Sequence, residues 1–365
     1  MPDSADDIVP NKTTPWVTAT TYTQTIDDRT TPMKFRRAPI SALLLMVIHA
    51  APLLADDTPL SDRGTFSLIY ENDIFANTDR NYTNGIDLSY LSAPNGAPRP
   101  ARWLATTLLG ADQHDIIYAG IGIGQSIFTP RDTEATAPLP NQHPYAGWLH
   151  ATFLTAVDSG KTLDTLAVDV GLVGPSSGAE WVQNHVHDLI GSDEANGWDN
   201  QVRDEFGFVV TYERKWRALA EWRRNGLGVD VIPHAAVSVG NVLTQAATGL
   251  TFRVGQDLAN DYGPPRVRPA LAGAGFFTPR DHFSWYLFVG ASGRAVAYNI
   301  VLDGNAFRDG GPSVNRKPLV AEGQAGLVLQ MGRVQGAFTV VTRTDEFKGQ
   351  GKQALFGAIS LSMKF

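Results

Sequence analysis

Leu355-Phe356-Gly357-Ala358-Ile359-Ser360-Leu361-Ser362-Met363-Lys364-Phe365 closes the chain, and its alternation decides the fold. Leu355, Gly357, Ile359, Leu361, Met363 and Phe365 fall on one face of an extended strand, and Ala358, Ser360, Ser362 and Lys364 fall on the other. Successive side chains of a strand point to opposite faces, so this segment separates an apolar from a polar environment. The pattern recurs upstream. In 319–331, Leu319, Ala321, Ala325, Leu327, Leu329 and Met331 alternate with Glu322, Gln324 and Gln330. In 165–172, Leu166, Val168, Val170 and Leu172 alternate with Thr165 and Asp169.

Segments of this kind, separated by Gly, Pro and Asn turns, place strands near 65–72, 85–92, 116–126, 147–157, 163–174, 204–216, 229–239, 246–255, 283–302, 318–331, 333–345 and 354–365. That makes 12, with 283–302 open to division into two. A secreted β-sandwich also alternates, but its strands usually run ~5–6 residues, and these are longer. No apolar run after Ala55 is long enough for a spanning helix. Lipid outside and water inside suit the pattern, and only a closed barrel leaves no unpaired sheet edge in lipid. The aromatic terminal residue Phe365 resembles the end signature of outer-membrane barrels. The expected fold is therefore all-β, a 12-stranded antiparallel transmembrane β-barrel. Long connections at 93–115, 128–146, 256–282 and 303–317 are expected to face outward, since such barrels keep their tight turns on the periplasmic side.

One segment breaks the strand pattern. Ser177-Gly178-Ala179-Glu180 reads as a capping box, with Ser177 as N-cap and Glu180 at the third helical position. Val182, Val186 and Leu189 follow at helical spacing, and Gly191 is a natural stop. The spacing predicts a short helix over 178–190 in an extracellular loop. Gln183 and His187 share one of its faces, while His185 points elsewhere.

The start of the chain carries an export signal. Lys34, Arg36 and Arg37 precede an apolar run from Ala38 to Ile48, then Ala50-Ala51-Pro52-Leu53-Leu54-Ala55 before Asp56-Asp57. A basic region, a short apolar region and a small residue at the cut form a cleavable signal peptide over 33–55. The apolar run is about half the ~20 residues that a spanning helix needs. Residues 1–32, polar and rich in Thr and Asp, read as an extension upstream of a true start at Met33, a genuine disordered extension being the alternative, and 56–365 as the mature barrel. The net charge of −7 and the lack of a basic patch point away from nucleic acid. The chain contains 0 Cys, which excludes disulfides, thiolate metal sites and a Cys nucleophile.

Two familiar motifs are decoys. Gly174-Pro175-Ser176-Ser177-Gly178 matches the G-x-S-x-G nucleophile elbow, but that turn belongs to an α/β-hydrolase sheet, which the pattern lacks. In Gly120-Ile121-Gly122-Ile123-Gly124 the glycines alternate along a strand with no helix after them, which suits close packing on a barrel wall. More chemistry is concentrated where Glu71-Asn72-Asp73 ends the first strand and Asp79-Arg80-Asn81-Tyr82-Thr83-Asn84-Gly85 opens the second. Carboxylates, amides and a hydroxyl gathered at one rim suit Ca²⁺. A polar hairpin loop turning at Asn84-Gly85 would look the same. His187 alone could equally be a solvated histidine, followed by an acidic stretch with Asp193, Glu194, Asp199, Asp204 and Glu205.

These blocks, with Gly124-Gln125…Thr129-Pro130, Pro144-Tyr145-Ala146-Gly147-Trp148, Gly174-Pro175, Gln183…His187…Gly191, Gly197-Trp198-Asp199-Asn200-Gln201, Gly240-Asn241, Leu302-Asp303-Gly304-Asn305 and Glu346-Phe347, resemble the lipid A 3'-O-deacylase family in content and order over 64–365. The resemblance implies a 12-stranded outer-membrane barrel with its site between the wall and a loop helix near the outer leaflet. It implies Ca²⁺-dependent hydrolysis of the 3'-linked acyloxyacyl ester of lipid A. By the resemblance His187 matches the general base, Asn72 and Asp73 an essential pair, Thr83 an active-site hydroxyl, and Asp73 and Asp193 metal ligands. The implied substrate is lipid A, or whole lipopolysaccharide, in the outer leaflet, and the expected state is a monomer among outer-membrane lipids. Asn72 and Asp73 are adjacent, so both serve one site only if the strand ends or bulges there. A non-catalytic porin or scaffold and an outer-membrane phospholipase are the competing readings, and a helix with long loops capping the mouth speaks against an open pore.

Overall fold

A computed structural model describes residues 60–73, 81–190, 194–264, 276–351 and 353–365. The expected signal peptide, the start at Met33, and Asp79, Arg80 and Asp193 lie outside the described residues. The strands are β1 (Thr65–Asn72), β2 (Asn81–Leu91), β3 (Ile116–Thr129), β4 (Ala146–Asp158), β5 (Thr162–Val173), β6 (Glu205–Trp216), β7 (Ala220–Arg224), β8 (Leu227–Gly240), β9 (Leu243–Gly255), β10 (Arg280–Asn299), β11 (Leu319–Gly332), β12 (Val334–Arg343) and β13 (Ala354–Lys364). All pairings are antiparallel between neighbours in the chain, β6 also pairs β8, and β13 closes onto β1.

The result is the expected closed 12-stranded barrel. The short β7 is the exception that sequence missed. It continues the β6–β8 ladder after an irregularity at Ala218 and turns at Asn225-Gly226, both at positive φ, the geometry that suits a tight hairpin. The 283–302 segment is one strand to Asn299, followed by a helical turn, Ile300–Asp303.

Parity sorts the side chains as lipid demands. Across β1–β4 the outward set includes Phe66, Leu88, Ile121, Ile123 and Phe153, all exposed, whereas Ser67, Thr65 and Thr152 point inward and are buried. On β13, Leu355 and Phe365 are outside, and Ser360, Ser362 and Lys364 inside. The glycines of 120–124 follow the same rule: a Cβ on Gly120 would press on Leu154 from the opposite strand inside the wall.

β1 begins and β13 ends at the same end of the barrel, which also carries the tight turns at 159–161, 225–226 and 333, so that end is periplasmic. Antiparallel strands send their connections alternately to the two ends. This corrects the expectation for the long connections: 130–145 and 300–318 lie at the far mouth, but 92–115 and 256–279 lie at the periplasmic end. The first carries helix α1 (Arg99–Leu108). The described residues of the second, 256–264 and 276–279, fold into the lumen as a floor. Tyr262 and Phe276 from this connection pack with Leu91, Leu154, Leu163 and Ala167 of the facing wall. Asp261 reaches Arg253, Tyr286 and Gln335. At the mouth, Ile300, Val301 and Leu302 turn inward onto Ala146, Trp148, Val173, Val209 and Val242. Between floor and mouth lies a cavity of about 130 Å³, lined by Glu71, Asp87, Asp169, Arg294 and Arg343 among others.

Candidate active site

The outward side of β1–β4 near the mouth holds the predicted residues. The strand pairing aligns Asn72 with Asn84, Asn84 with Ile127 and Ile127 with Gly147, so one level of the outer wall carries all four. β1 stops at Asn72, and Asp73 lies beyond its last paired residue, which frees Asp73 from strand parity. On β2 the register slips between Tyr82 and Asn84, so that Thr83 is the extra residue of a β-bulge. Its hydroxyl meets that of outward-facing Thr129 at 2.6 Å. The end of one strand and a bulge in the next thus gather Asn72, Asp73, Thr83 and Asn84 on one side, and all four are buried. Asn72 Nδ2 donates to the Tyr70 hydroxyl at 3.0 Å. Two sequence readings change. Glu71 lies between Tyr70 and Asn72, so it points into the lumen, where it accepts from the Tyr82 hydroxyl. Asn84-Gly85 are paired strand residues, not a turn.

Helix α2 (Ala179–Ile190) lies against the outside of β3 and β4 instead of over the mouth. Gly147 explains the close approach: a Cβ there would overlap Ser177 Oγ and Ala179 Cβ. Ala179 packs on Ile127 with Tyr145, Ala195 and Trp198. From β3, Gln125 Nε2 donates to the Ser177 carbonyl at 2.7 Å. Ala179, Gln183 and His187 recur every four residues, form one helix face and are all buried, at 1%, 1% and 3% exposure. Since Ala179 touches the wall, so does that face. The expected capping box is not made. The helix starts at Ala179, after Gly178 at φ 68°, and Ser177 Oγ donates to the Gly174 carbonyl at 2.6 Å. A 3-10 turn over Pro175–Ser177 takes the serine out of reach of the helix start.

His187 Nε2 lies 2.6 Å from Gln183 Nε2, and Gln183 Oε1 is buried with no hydrogen-bond partner among the described residues. His185 is exposed on the other side, its ring tilted against Trp181 and bonded to the Trp181 carbonyl at 2.8 Å. Ser176 is also exposed, and its backbone and hydroxyl are both held by Asp204, at 2.7 and 2.9 Å. In the mouth loops, burial pushes the His143 imidazole below its usual range. Burial alone would raise the Glu346 carboxyl, but the guanidinium groups of Arg343 and Arg294 outweigh it and hold the carboxyl low.

Among the described residues no three His, Asp or Glu side chains stand grouped for a metal ion. The residues that sequence reading underused are Gln125, Gly147 and Tyr70. Strand parity would have put Gln125 and Gly147 outside, and a polar side chain facing lipid is the signal that something covers it. Replacing Gly147 with leucine is expected to lift the start of α2 from the wall while the barrel still forms. The check is a retained heat-dependent gel shift together with faster proteolysis within 174–204.

No curated protein sequence matches the chain at a significant level. Among solved structures, LpxR from Salmonella typhimurium is similar at 20% identity and a TM-score of 0.68, over 82% of this chain and 100% of that one. The beta domain of the Bordetella autotransporter Brka matches at 10% identity and a TM-score of 0.42, over 83% of this chain and 99% of its own. The translocator domain of NalP from Neisseria meningitidis matches at 9% and 0.35, over 89% and 95%, and no argument rests on these last two. The family model for the outer membrane protein LpxR matches residues 40–365, and the chain belongs to that family.

Proposed function

We propose that the protein is an outer-membrane hydrolase that removes the 3'-linked acyloxyacyl chain of lipid A, with His187 as general base and Ca²⁺ as cofactor. The observation that carries the reading is the buried face of α2, with Gln183 and His187 pressed against the lipid side of the wall. A site on that side opens to acyl chains in the leaflet, whereas a lumen site would not.

A general base needs an imidazole nitrogen with a free lone pair. With the Gln183 amide turned so that its oxygen accepts from His187 Nε2–H, the buried Oε1 gains a partner and the neutral ring carries its basic nitrogen at Nδ1. Nδ1 then takes the proton from the water that attacks the ester carbonyl. Asn72, Thr83 and Asn84 supply an amide, a hydroxyl and an amide to orient the ester. Oxygen donors without a thiol fit a hard cation, and Asp73 would hold Ca²⁺ together with Asp193. When bound, the ion would polarise the carbonyl and stabilise developing negative charge.

Asp73→Ala is expected to abolish release of the 3'-acyloxyacyl group from purified lipid A while leaving the heat-dependent gel shift intact. Excess chelator should silence the unmodified protein, with Ca²⁺ restoring it. Full turnover in chelator would overturn the metal role. Turnover of glycerophospholipid but not lipid A would move the reading to a phospholipase. The floor and the inward turn at 300–302 weigh against a porin.

A further inference from the structure

We infer that α1 is an interfacial helix seated in the periplasmic leaflet, and that its outward surface binds anionic glycerophospholipid. The inference rests on the barrel's place in the membrane and stands whether or not the protein is a deacylase. Ala101 and Ala105 of α1 pack on Ile117 of β3 and Val157 of β4. Those two are a cross-strand pair, and their parity is that of Ile121, Ile123 and Phe153, so they belong to the lipid side. α1 therefore lies outside the wall, where lipid would otherwise be, and not across the lumen or free in the periplasm. Directly beyond it on the same strands, Ile121 and Phe153 are bare, at 57% and 55% exposure, so the surface of α1 continues an apolar band that lipid already covers.

Its composition fits that position. Arg99 and Arg102 are its two charges and it has no acidic residue. Trp103 and Leu108 are exposed at 61% and 60% although large and apolar. Basic and aromatic residues on a short amphipathic helix are the composition that settles at a headgroup boundary. A helix also tolerates that place because its backbone groups are paired internally. The depth agrees as well. α1 covers β3 at Ile117, and α2 covers it at Gln125 and Ile127. Nine residues at ~3.3 Å, tilted by ~40°, separate the two by about 23 Å along the membrane normal. The apolar band of such barrels is ~25 Å tall, so the helices mark its two boundaries on the same pair of strands.

The chain has 0 Cys, so a single Thr107→Cys on the exposed side of α1, which keeps Trp103 and Leu108, can carry an environment-sensitive fluorophore. Glu134→Cys in a mouth loop serves as the aqueous control. Both full-length variants are folded into phosphatidylcholine vesicles with or without phosphatidylglycerol, with folding checked by the gel shift. The label at 107 is expected to emit at shorter wavelength than at 134, to be quenched more by shallow than by deep spin-labelled lipid, and to resist aqueous iodide. Arg99→Glu should weaken the lipid quenching in phosphatidylglycerol vesicles and leave it unchanged without that lipid. Iodide quenching at 107 equal to that at 134, with no effect of spin-labelled lipid, would overturn the interfacial placement. Lipid quenching that ignores both phosphatidylglycerol and Arg99→Glu would overturn the assignment of an anionic partner.

Discussion

Replacing His187 with alanine is expected to remove nearly all deacylation, a loss of ~10²–10⁴-fold, the usual contribution of a general base. The same substitution at His185 should leave activity near the unmodified level. The two lie about 200° apart around the helix axis, and the structure buries His187 while leaving His185 exposed and tilted against Trp181. Ser176→Ala should also be nearly silent, because that hydroxyl is exposed and donates to the Asp204 carboxylate. The measurement is release of the 3'-acyloxyacyl group from purified lipid A in detergent with Ca²⁺, each variant first passing the gel-shift test of folding. An inactive His185 or Ser176 variant beside an active His187 variant would end the assigned mechanism while leaving fold and substrate class intact. Removing His187 also leaves Gln183 without its partner in a buried place, so a modest loss of stability is expected alongside. The two effects separate, since a folded but inactive barrel cannot arise from lost stability alone.

The barrel was legible because lipid imposes a one-sided rule on every strand. Leu355, Ile359 and Leu361 on one side and Ser360 and Ser362 on the other can be placed without knowing any partner strand. The helix was legible for a similar reason: Gln183 and His187 share a face by spacing alone. Features that depend on a neighbouring strand were not. That Asn72 and Asp73 could share a site was conditional on a strand end, which pairing with Asn84 supplies. The bulge at Thr83 is visible only as a slip against Phe128 and Ile127. Glu71 looked like a member of the same cluster because nothing in the sequence says on which side β1 begins. Ser177 has the spacing of a capping residue, yet its hydroxyl is drawn to the Gly174 carbonyl by the 3-10 turn that Pro175 opens. The helix was expected at the mouth. A single missing Cβ, at Gly147, lets it lie on the wall instead, and a glycine in a strand does not announce which neighbour it admits.

The floor was the largest feature that sequence did not reveal, and it carries the largest expected effect on stability. Arg253 of β9 is fully buried. It donates twice to Asp230 of β8, at 2.9 and 2.6 Å, pairs with Asp261 of the floor, and donates to the Leu258 carbonyl at 2.6 Å. Asp261 is held further by the Tyr286 hydroxyl at 3.0 Å and by Gln335 at 3.1 Å. One guanidinium therefore ties two strands to the segment that crosses the lumen, and its fork geometry is what lets it bond Asp230 with two nitrogens. Arg253→Leu keeps much of the volume but strands two carboxylates away from water. Removing one partner of a buried ion pair typically costs ~3–5 kcal/mol, because the charge left behind has no compensation. The expected result is a loss of that size in urea unfolding of the folded barrel in lipid vesicles. Arg253→Lys should fall between, keeping the charge but losing the paired donors. Adding Asp230→Asn and Asp261→Asn to Arg253→Leu should recover part of the loss, since the stranded charges are then gone. Catalysis should survive in the variants that fold, because the floor and α2 sit at opposite ends of the wall. A loss below about 1 kcal/mol for Arg253→Leu, within the range of an exposed ion pair, would mean that the network is wet and that the floor is held by Tyr262 and Phe276 alone.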